Sequence, residues 1–114
     1  MAEKWSNVGH PIVSQLAHDA DMAELIEMYI AEMPARAEKL GACISARDWK
    51  ALTTIAHQLR GSAGGHGFPT LGACAGALED AMRTAQGREE AALDSSMLQV
   101  DVLVGMCRRC VAKR

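Results

Sequence analysis

The sequence predicts an all-α domain: an antiparallel up-down-up-down four-helix bundle with an additional N-terminal helix. The chain has 114 residues, which suits one domain with one hydrophobic core. Apolar residues make up 49% of it and aromatic residues only 4%. The apolar excess is Ala, Leu and Met, which favour helix over strand. Apolar residues also recur at helical spacing in segments joined by short connections, which predicts antiparallel neighbours.

The first part of the chain is predicted to contain an arm and two helical segments. Residues 1–18 show no clear period and suggest a loose arm ahead of a bundle domain at 19–114. Helical periodicity begins behind the candidate caps Asp19 and Asp21. Its apolar positions are Met22, Leu25, Ile26, Tyr29, Ile30 and Met33. Pro34 is expected to kink or restart the helix, so a second segment continues to about Ala46.

Three further helices complete the predicted bundle. One covers residues 49–65 behind the N-cap Asp48, and the next covers 69–87 after a tight corner. The last spans about 89–112. Its apolar residues alternate by four and three, which is bundle spacing: Leu93, Met97, Val100, Val104, Cys107 and Val111.

Charge and hydropathy exclude several classes of function. The formal charge is −2, from 12 basic and 14 acidic residues spread along the chain. No net field therefore attracts nucleic acid or an anionic membrane. The N-terminus lacks an apolar signal core, and no apolar run approaches the roughly 20 residues that span a bilayer. We expect a soluble, cytoplasmic monomer with neither nucleic acid nor membrane as a partner.

The four cysteines are Cys43, Cys74, Cys107 and Cys110. Three of them fall on helical apolar stripes, which suits buried thiols in a reducing compartment. Cys107 and Cys110 have the spacing of a metal-binding pair. A single pair within a continuous helix, however, lacks both a second pair of ligands and a loop to surround the ion. No metal site is predicted.

His57 is the centre of the candidate site. At about 100° per residue it falls on the exposed shoulder of its helix, away from the apolar stripe. Gly61 and Gly64 lie one and two turns further along nearly the same face, although a glycine within a helix costs on the order of 1 kcal/mol relative to alanine. The glycines predict a bare surface that another protein can approach closely. Close packing between helices is the alternative.

The following helix carries four residues on the corresponding shoulder: Gly72, Gly76, Glu79 and Arg83. We expect them to share one surface with His57. Counting outward from the corner places Glu79 beside His57, where a carboxylate could take the Nδ1 proton and leave Nε2 as the nucleophile. Arg60 and Arg83 could screen the negative charge of an incoming group. The alternatives are an i,i+4 surface pair for Glu79 and Arg83, and a cover over apolar neighbours for Arg60.

The run AHQLRGSA at residues 56–63, followed by Gly64 and by Leu71, Cys74 and Leu78-Glu79, resembles the signature of histidine phosphotransfer domains. The resemblance extends over roughly residues 22–111. It implies that His57 is phosphorylated, that Gly61 gives a partner clearance, and that Glu79 orients the imidazole.

The resemblance also implies the partners. A receiver domain of a hybrid sensor histidine kinase would be the phosphoryl donor, and a separate response regulator the acceptor. The Mg²⁺ ion and acidic pocket would belong to the receiver, so this chain is a covalent carrier with no cofactor and no nucleotide site of its own.

Two positions depart from the family pattern and keep other functions open. Arg60 stands where lysine is usual, and His66 stands where an apolar residue is usual, which could loosen the corner or add a titrating group. The main rival is a receiver-docking helical adaptor that transfers no phosphate. A metal-binding helical bundle is the third possibility.

Overall fold

Four α-helices dominate the part of the chain that the computed structural model describes, which is residues 10–112 without the side chains of 93–96 and 98. They are α1 (Ala23–Ser45), α2 (Trp49–Ala63), α3 (Pro69–Thr84) and α4 (Glu89–Arg109). There are also two 3₁₀ turns, Ala20–Met22 and Gly64–His66. Two short strands complete the described structure, β1 (Ile12–Val13) and β2 (Cys110–Val111). The prediction of a mainly helical domain is confirmed.

Helix α1 runs through Pro34 without interruption, so the predicted additional N-terminal helix is wrong. The two predicted segments are the two halves of one helix, and the helical structure described ahead of it is one 3₁₀ turn, Ala20–Met22. Pro34 itself is exposed, whereas the apolar stripe is buried on both sides of it. The stripe consists of Ile26, Tyr29, Met33, Ala37, Leu40 and Cys43. Burial of one continuous face outweighs the backbone hydrogen bond that a proline removes.

The starts of α2 and α3 follow the sequence signals. Asp48 caps α2, because its carboxylate accepts a hydrogen bond from the amide of Ala51 at 3.1 Å. Pro69 occupies the first turn of α3, where a missing N–H costs nothing. Between the two helices, Gly67 has a φ of 87°, a left-handed conformation that favours glycine.

Helices α2 and α3 pack antiparallel, and this pair carries the candidate site. His57 contacts Glu79, and Arg60 lies against Gly76 one turn along. Helix α3 also packs against α4, which packs against α1. All four helices contribute to one core, whose fully buried leucines are Leu40, Leu52, Leu59, Leu71, Leu78 and Leu103.

The end of the predicted arm is not loose. β1 pairs in parallel with β2, and the amide of Gln15 donates to the carbonyl of Gly67 at 2.8 Å. Helix α4 was expected to reach 112 but ends at Arg109, because the next two residues form β2. Strands of two residues are too short to show a sequence period. The division at residue 18 stays a prediction, and residues 1–9 lie outside the described part.

The cysteines are free thiols, with Cys74 half-buried and the other three buried. Burial raises the pKa of Cys107 to about 12 and that of Cys110 to about 11. Among the side chains that the structure describes, no group of three or more His, Cys, Asp or Glu is placed to hold a metal ion. None of the described helices is both long and apolar enough to cross a membrane.

Candidate functional site

His57 lies in the middle of α2 with its side chain 66% exposed. The opposite face of α2 is buried in the core through Leu52, Ala56, Leu59 and Ala63. The sequence-based position of His57, on the exposed shoulder, is confirmed.

Glu79 lies beside His57, as the count from the corner predicted. Its Oε2 is 2.9 Å from Nδ1 of the imidazole. An ionised carboxylate only accepts hydrogen bonds, so Nδ1 carries the proton in this pair. In a neutral ring with that tautomer, Nε2 keeps its lone pair.

The Glu79 side chain is only 4% exposed. Its carboxylate accepts hydrogen bonds from three side chains, those of His57, Arg60 and Arg83. Arg83 donates to Oε2 from Nε at 2.9 Å, and Arg60 donates to Oε1 from NH1 at 3.3 Å. Burial alone would raise the pKa of Glu79, but the hydrogen bonds from Arg83, Arg60 and His57 together lower it below its usual range. The site therefore holds a buried carboxylate in its charged form next to the imidazole.

Arg60 bridges two acidic side chains of α3. Its NH1 also donates to Oδ1 of Asp80 at 3.1 Å. Hydrogen bonds to Glu79 and Asp80 raise the pKa of Arg60. Arg60 is thus an ion-pair partner of Glu79 and Asp80. These contacts do not favour the alternative, in which Arg60 only covers apolar neighbours. Sequence reasoning missed Asp80, whose only signal was its position next to Glu79.

Gly61 and Gly64 are exposed, and a Cβ added at either would meet no neighbouring part of the chain within 4 Å. Neither glycine is therefore needed for packing between helices, which excludes that alternative. Both leave open surface on the side of α2 that carries His57.

Gly72 and Gly76 are buried, so the prediction that they share the exposed surface is wrong. An added Cβ at Gly72 would lie 3.5 Å from the Cβ of Ala63, and one at Gly76 would lie 3.0 Å from Nε of Arg60. The helical angle placed both glycines on the correct shoulder of α3, but α2 covers that shoulder. They allow α3 to approach α2 closely.

His66 closes the corner after α2. Its ring stacks on Tyr29 with 4.0 Å between centroids and 7° between planes. Its Nδ1 donates to the carbonyl of Ser62 at 2.8 Å, while the Tyr29 hydroxyl shares a 2.7 Å hydrogen bond with the Ser62 hydroxyl. The flat imidazole is packed on Tyr29 here, so these contacts do not favour the possibility that His66 loosens the corner.

One connected polar cluster thus extends across α2 and α3 and consists of His57, Arg60, Glu79 and Arg83. Comparison with protein-family models matches residues 24–110 to the Hpt domain, a stretch that contains the whole cluster. Neither the curated proteins nor the solved structures give a significant match.

Proposed function

The chain belongs to the Hpt domain family, and we propose that its His57 is the residue that receives the phosphoryl group. Domains of this family act in histidine phosphotransfer within two-component phosphorelays, as carriers of the phosphoryl group. One observation carries the assignment of His57: an exposed imidazole whose Nδ1 lies 2.9 Å from a buried, charged carboxylate. That contact leaves Nε2 available to a partner.

The transfer step follows from this tautomer. The Nε2 lone pair attacks the phosphorus of a partner's aspartyl phosphate, and a P–N bond forms as the P–O bond to the aspartate breaks. The aspartate leaves as a carboxylate. Nδ1 keeps its proton, so the ring becomes a cation and Glu79 stabilises its positive charge. The reverse step gives the phosphoryl group to an acceptor aspartate.

Arg60 and Arg83 support this step in two ways. Their hydrogen bonds keep Glu79 ionised in a buried position. Their guanidinium groups also bring positive charge to the His57 surface, which favours a phosphoryl group carrying negative charge. Both arginine side chains are at least half exposed, within reach of a docked partner.

The proposed partners are receiver domains. A receiver of a hybrid sensor histidine kinase supplies the phosphoryl group, and a response regulator accepts it. The receiver holds the Mg²⁺ ion that stabilises the transferring group, so our proposal gives this chain no cofactor. Open space above Gly61 and Gly64 supports close approach of such a domain to His57.

The finer features of the fold belong to the same proposal. The antiparallel α2–α3 pair, with connections of only a few residues between α1 and α2 and between α3 and α4, supports an up-down-up-down bundle. We further propose that the protein is a cytoplasmic monomer.

A receiver-docking adaptor without transfer is the second candidate function. The observation that favours it is the double restraint on Arg60, which Glu79 and Asp80 hold against α3. A cation held in this way is less free to move to a phosphoryl group. An adaptor of this kind would bind receivers but carry no phosphate.

The test is incubation of the purified chain with a phosphorylated receiver from the same genome, followed by intact-mass and acid-lability measurements. His57→Gln and His66→Gln form a matched pair. We expect one acid-labile phosphoryl adduct on the wild type and on His66→Gln, and none on His57→Gln. Measurable docking without an adduct on any of the three proteins would instead support the adaptor.

A further inference from the structure

Gly76 of α3 lies directly beneath the side chain of Arg60. A Cβ built at Gly76 would be 3.0 Å from Nε, 3.2 Å from Cδ and 3.4 Å from Cζ of that arginine. These three arginine atoms are the nearest neighbours of the added atom. The missing side chain of Gly76 therefore makes room for one group, the Arg60 side chain.

The position of Arg60 over Gly76 determines what its guanidinium can reach. From there NH1 donates to Glu79 at 3.3 Å and to Asp80 at 3.1 Å. The Glu79 contact is already near the upper limit of hydrogen-bond length. An outward shift of a few tenths of an ångström would weaken it, and with it one of the hydrogen bonds that keep Glu79 charged beside His57.

We propose that Gly76 is a positioning residue for phosphotransfer, which acts by seating Arg60 against α3. The inference rests on the proposed function of His57 and adds a buried residue that acts through Arg60. Arginine has a broad, planar head, whereas lysine is slender and carries a compact ammonium group. The requirement for glycine at position 76 therefore follows from arginine at position 60, where the family resemblance implies lysine.

This dependence leads to a test by combined substitution. Gly76→Ala should push Arg60 away from Glu79. In the Arg60→Lys background the same substitution should not displace the side chain at position 60, since lysine leaves space for the methyl group. The matched control is Gly41→Ala, because Gly41 is an exposed helical glycine whose added Cβ meets no other part of the chain within 4 Å. Alanine favours helix over glycine, so neither single change should prevent folding.

The first readout is phosphorylation of the whole chain by phosphoramidate, a small donor that needs no docking surface. We expect Gly76→Ala to slow phosphorylation by less than the roughly tenfold that marks the lower end for loss of an orienting hydrogen bond, because Arg83 and His57 still donate to Glu79. Gly41→Ala should match the wild type, and the double variant should match Arg60→Lys alone. An equal loss in the Arg60→Lys background would overturn the proposal, because it would mean that alanine acts through the helix rather than through Arg60.

The second readout is the titration of the Glu79 carboxyl carbon by NMR, which needs no phosphoryl group. In Gly76→Ala the pKa of Glu79 should rise toward its usual range, and in Gly41→Ala it should not change. An unchanged Glu79 titration in Gly76→Ala would also overturn the proposal. If the wild type accepts no phosphate from any donor, the function of His57 fails, while this titration still decides whether Gly76 seats Arg60.

Discussion

The middle of α2 and the corner after it each hold a histidine whose Nδ1 makes a short hydrogen bond. His57 pairs with the buried carboxylate of Glu79 at 2.9 Å, and its side chain is largely exposed. His66 donates to the backbone carbonyl of Ser62 at 2.8 Å, and its ring is stacked on Tyr29. The two contacts are alike in length but differ in charge and access.

The difference shows why an oriented imidazole is not by itself a reactive one. A carbonyl fixes the tautomer, but it offers only a partial charge to a ring that becomes a cation on phosphorylation. A carboxylate offers a full charge, and Arg60 and Arg83 keep that carboxylate ionised. Stacking also covers one face of the His66 ring, whereas the surface beside His57 is bare.

The largest expected effect comes from removing the carboxylate. Glu79→Ala should slow phosphorylation of His57 roughly 10- to 100-fold, the usual range for losing a group that orients a reactive side chain. Glu79→Gln should retain only part of the rate, because its amide oxygen can still accept from Nδ1 but offers no full charge to the ring cation. Both rates are measured with a phosphorylated receiver, and Asp101→Asn on α4 controls for loss of one negative charge. A wild-type rate in Glu79→Ala would contradict the distinction between the two histidines.

At the corner between α2 and α3, the main expected effect of a substitution is on the stability of the fold. Gly67 and Gly87 both have a φ of 87°, where alanine costs roughly 1–2 kcal/mol. Only at Gly67 would an added Cβ also press on backbone, 2.8 Å from the amide nitrogen of Gln15 and 2.9 Å from that of Leu16.

Gly67→Ala should therefore lower the free energy of unfolding by more than about 2 kcal/mol, and Gly87→Ala by about 1 kcal/mol. Urea unfolding of the two variants measures the difference. Equal losses would mean that the segment after β1 adapts easily and that the corner is not closely packed.

A smaller effect is expected from His66→Phe. Phenylalanine keeps a flat ring for stacking on Tyr29 and loses only the hydrogen bond to Ser62, which is worth about 1 kcal/mol. Phosphorylation should proceed at the wild-type rate. If His66→Phe slowed phosphorylation as much as Glu79→Ala does, the distinction between the two histidines would be wrong.

The smallest expected effect is on acid stability. Because the pKa of Glu79 is lowered in the folded state, the unfolded state binds its proton first as pH falls. The stability that Glu79 contributes is complete above its unfolded pKa of about 4.3 and is lost as pH falls through the folded pKa.

Urea unfolding from about pH 3 to pH 7 checks this sign. Glu79→Gln should show a shallower loss of stability on the acid side than the wild type. Glu32→Gln, which removes a carboxylate from the exposed pair with Arg36, is the matched control. An unchanged acid slope in Glu79→Gln would show that Glu79 has the same pKa in the folded and unfolded chain.

The positions of His57 and Glu79 could be predicted from the sequence, because helical phase and distance from a corner are both properties of residue spacing. Other features could not be predicted in this way. Helical phase assigns Gly72 and Gly76 to a shoulder of α3 but does not say that α2 covers that shoulder. Local preference suggests a break at Pro34, whereas tertiary packing holds α1 together.

Contacts between distant parts of the chain could not be predicted, because they have no periodic signal in the sequence. The pairing of β1 with β2 involves two residues on each side. The bridge from Arg60 to Asp80 and the stack of His66 on Tyr29 depend on side chains whose meeting is decided only by the assembled fold. Residue spacing within one helix contains no signal for such pairs.

The most direct test of the central claim is NMR of the phosphorylated chain labelled with ¹⁵N in its histidines. We expect the phosphoryl group on Nε2 of His57, with the proton retained on Nδ1 and with His66 unmodified. A phosphoryl group on Nδ1 of His57, or on His66, would contradict the role given to the Glu79 carboxylate.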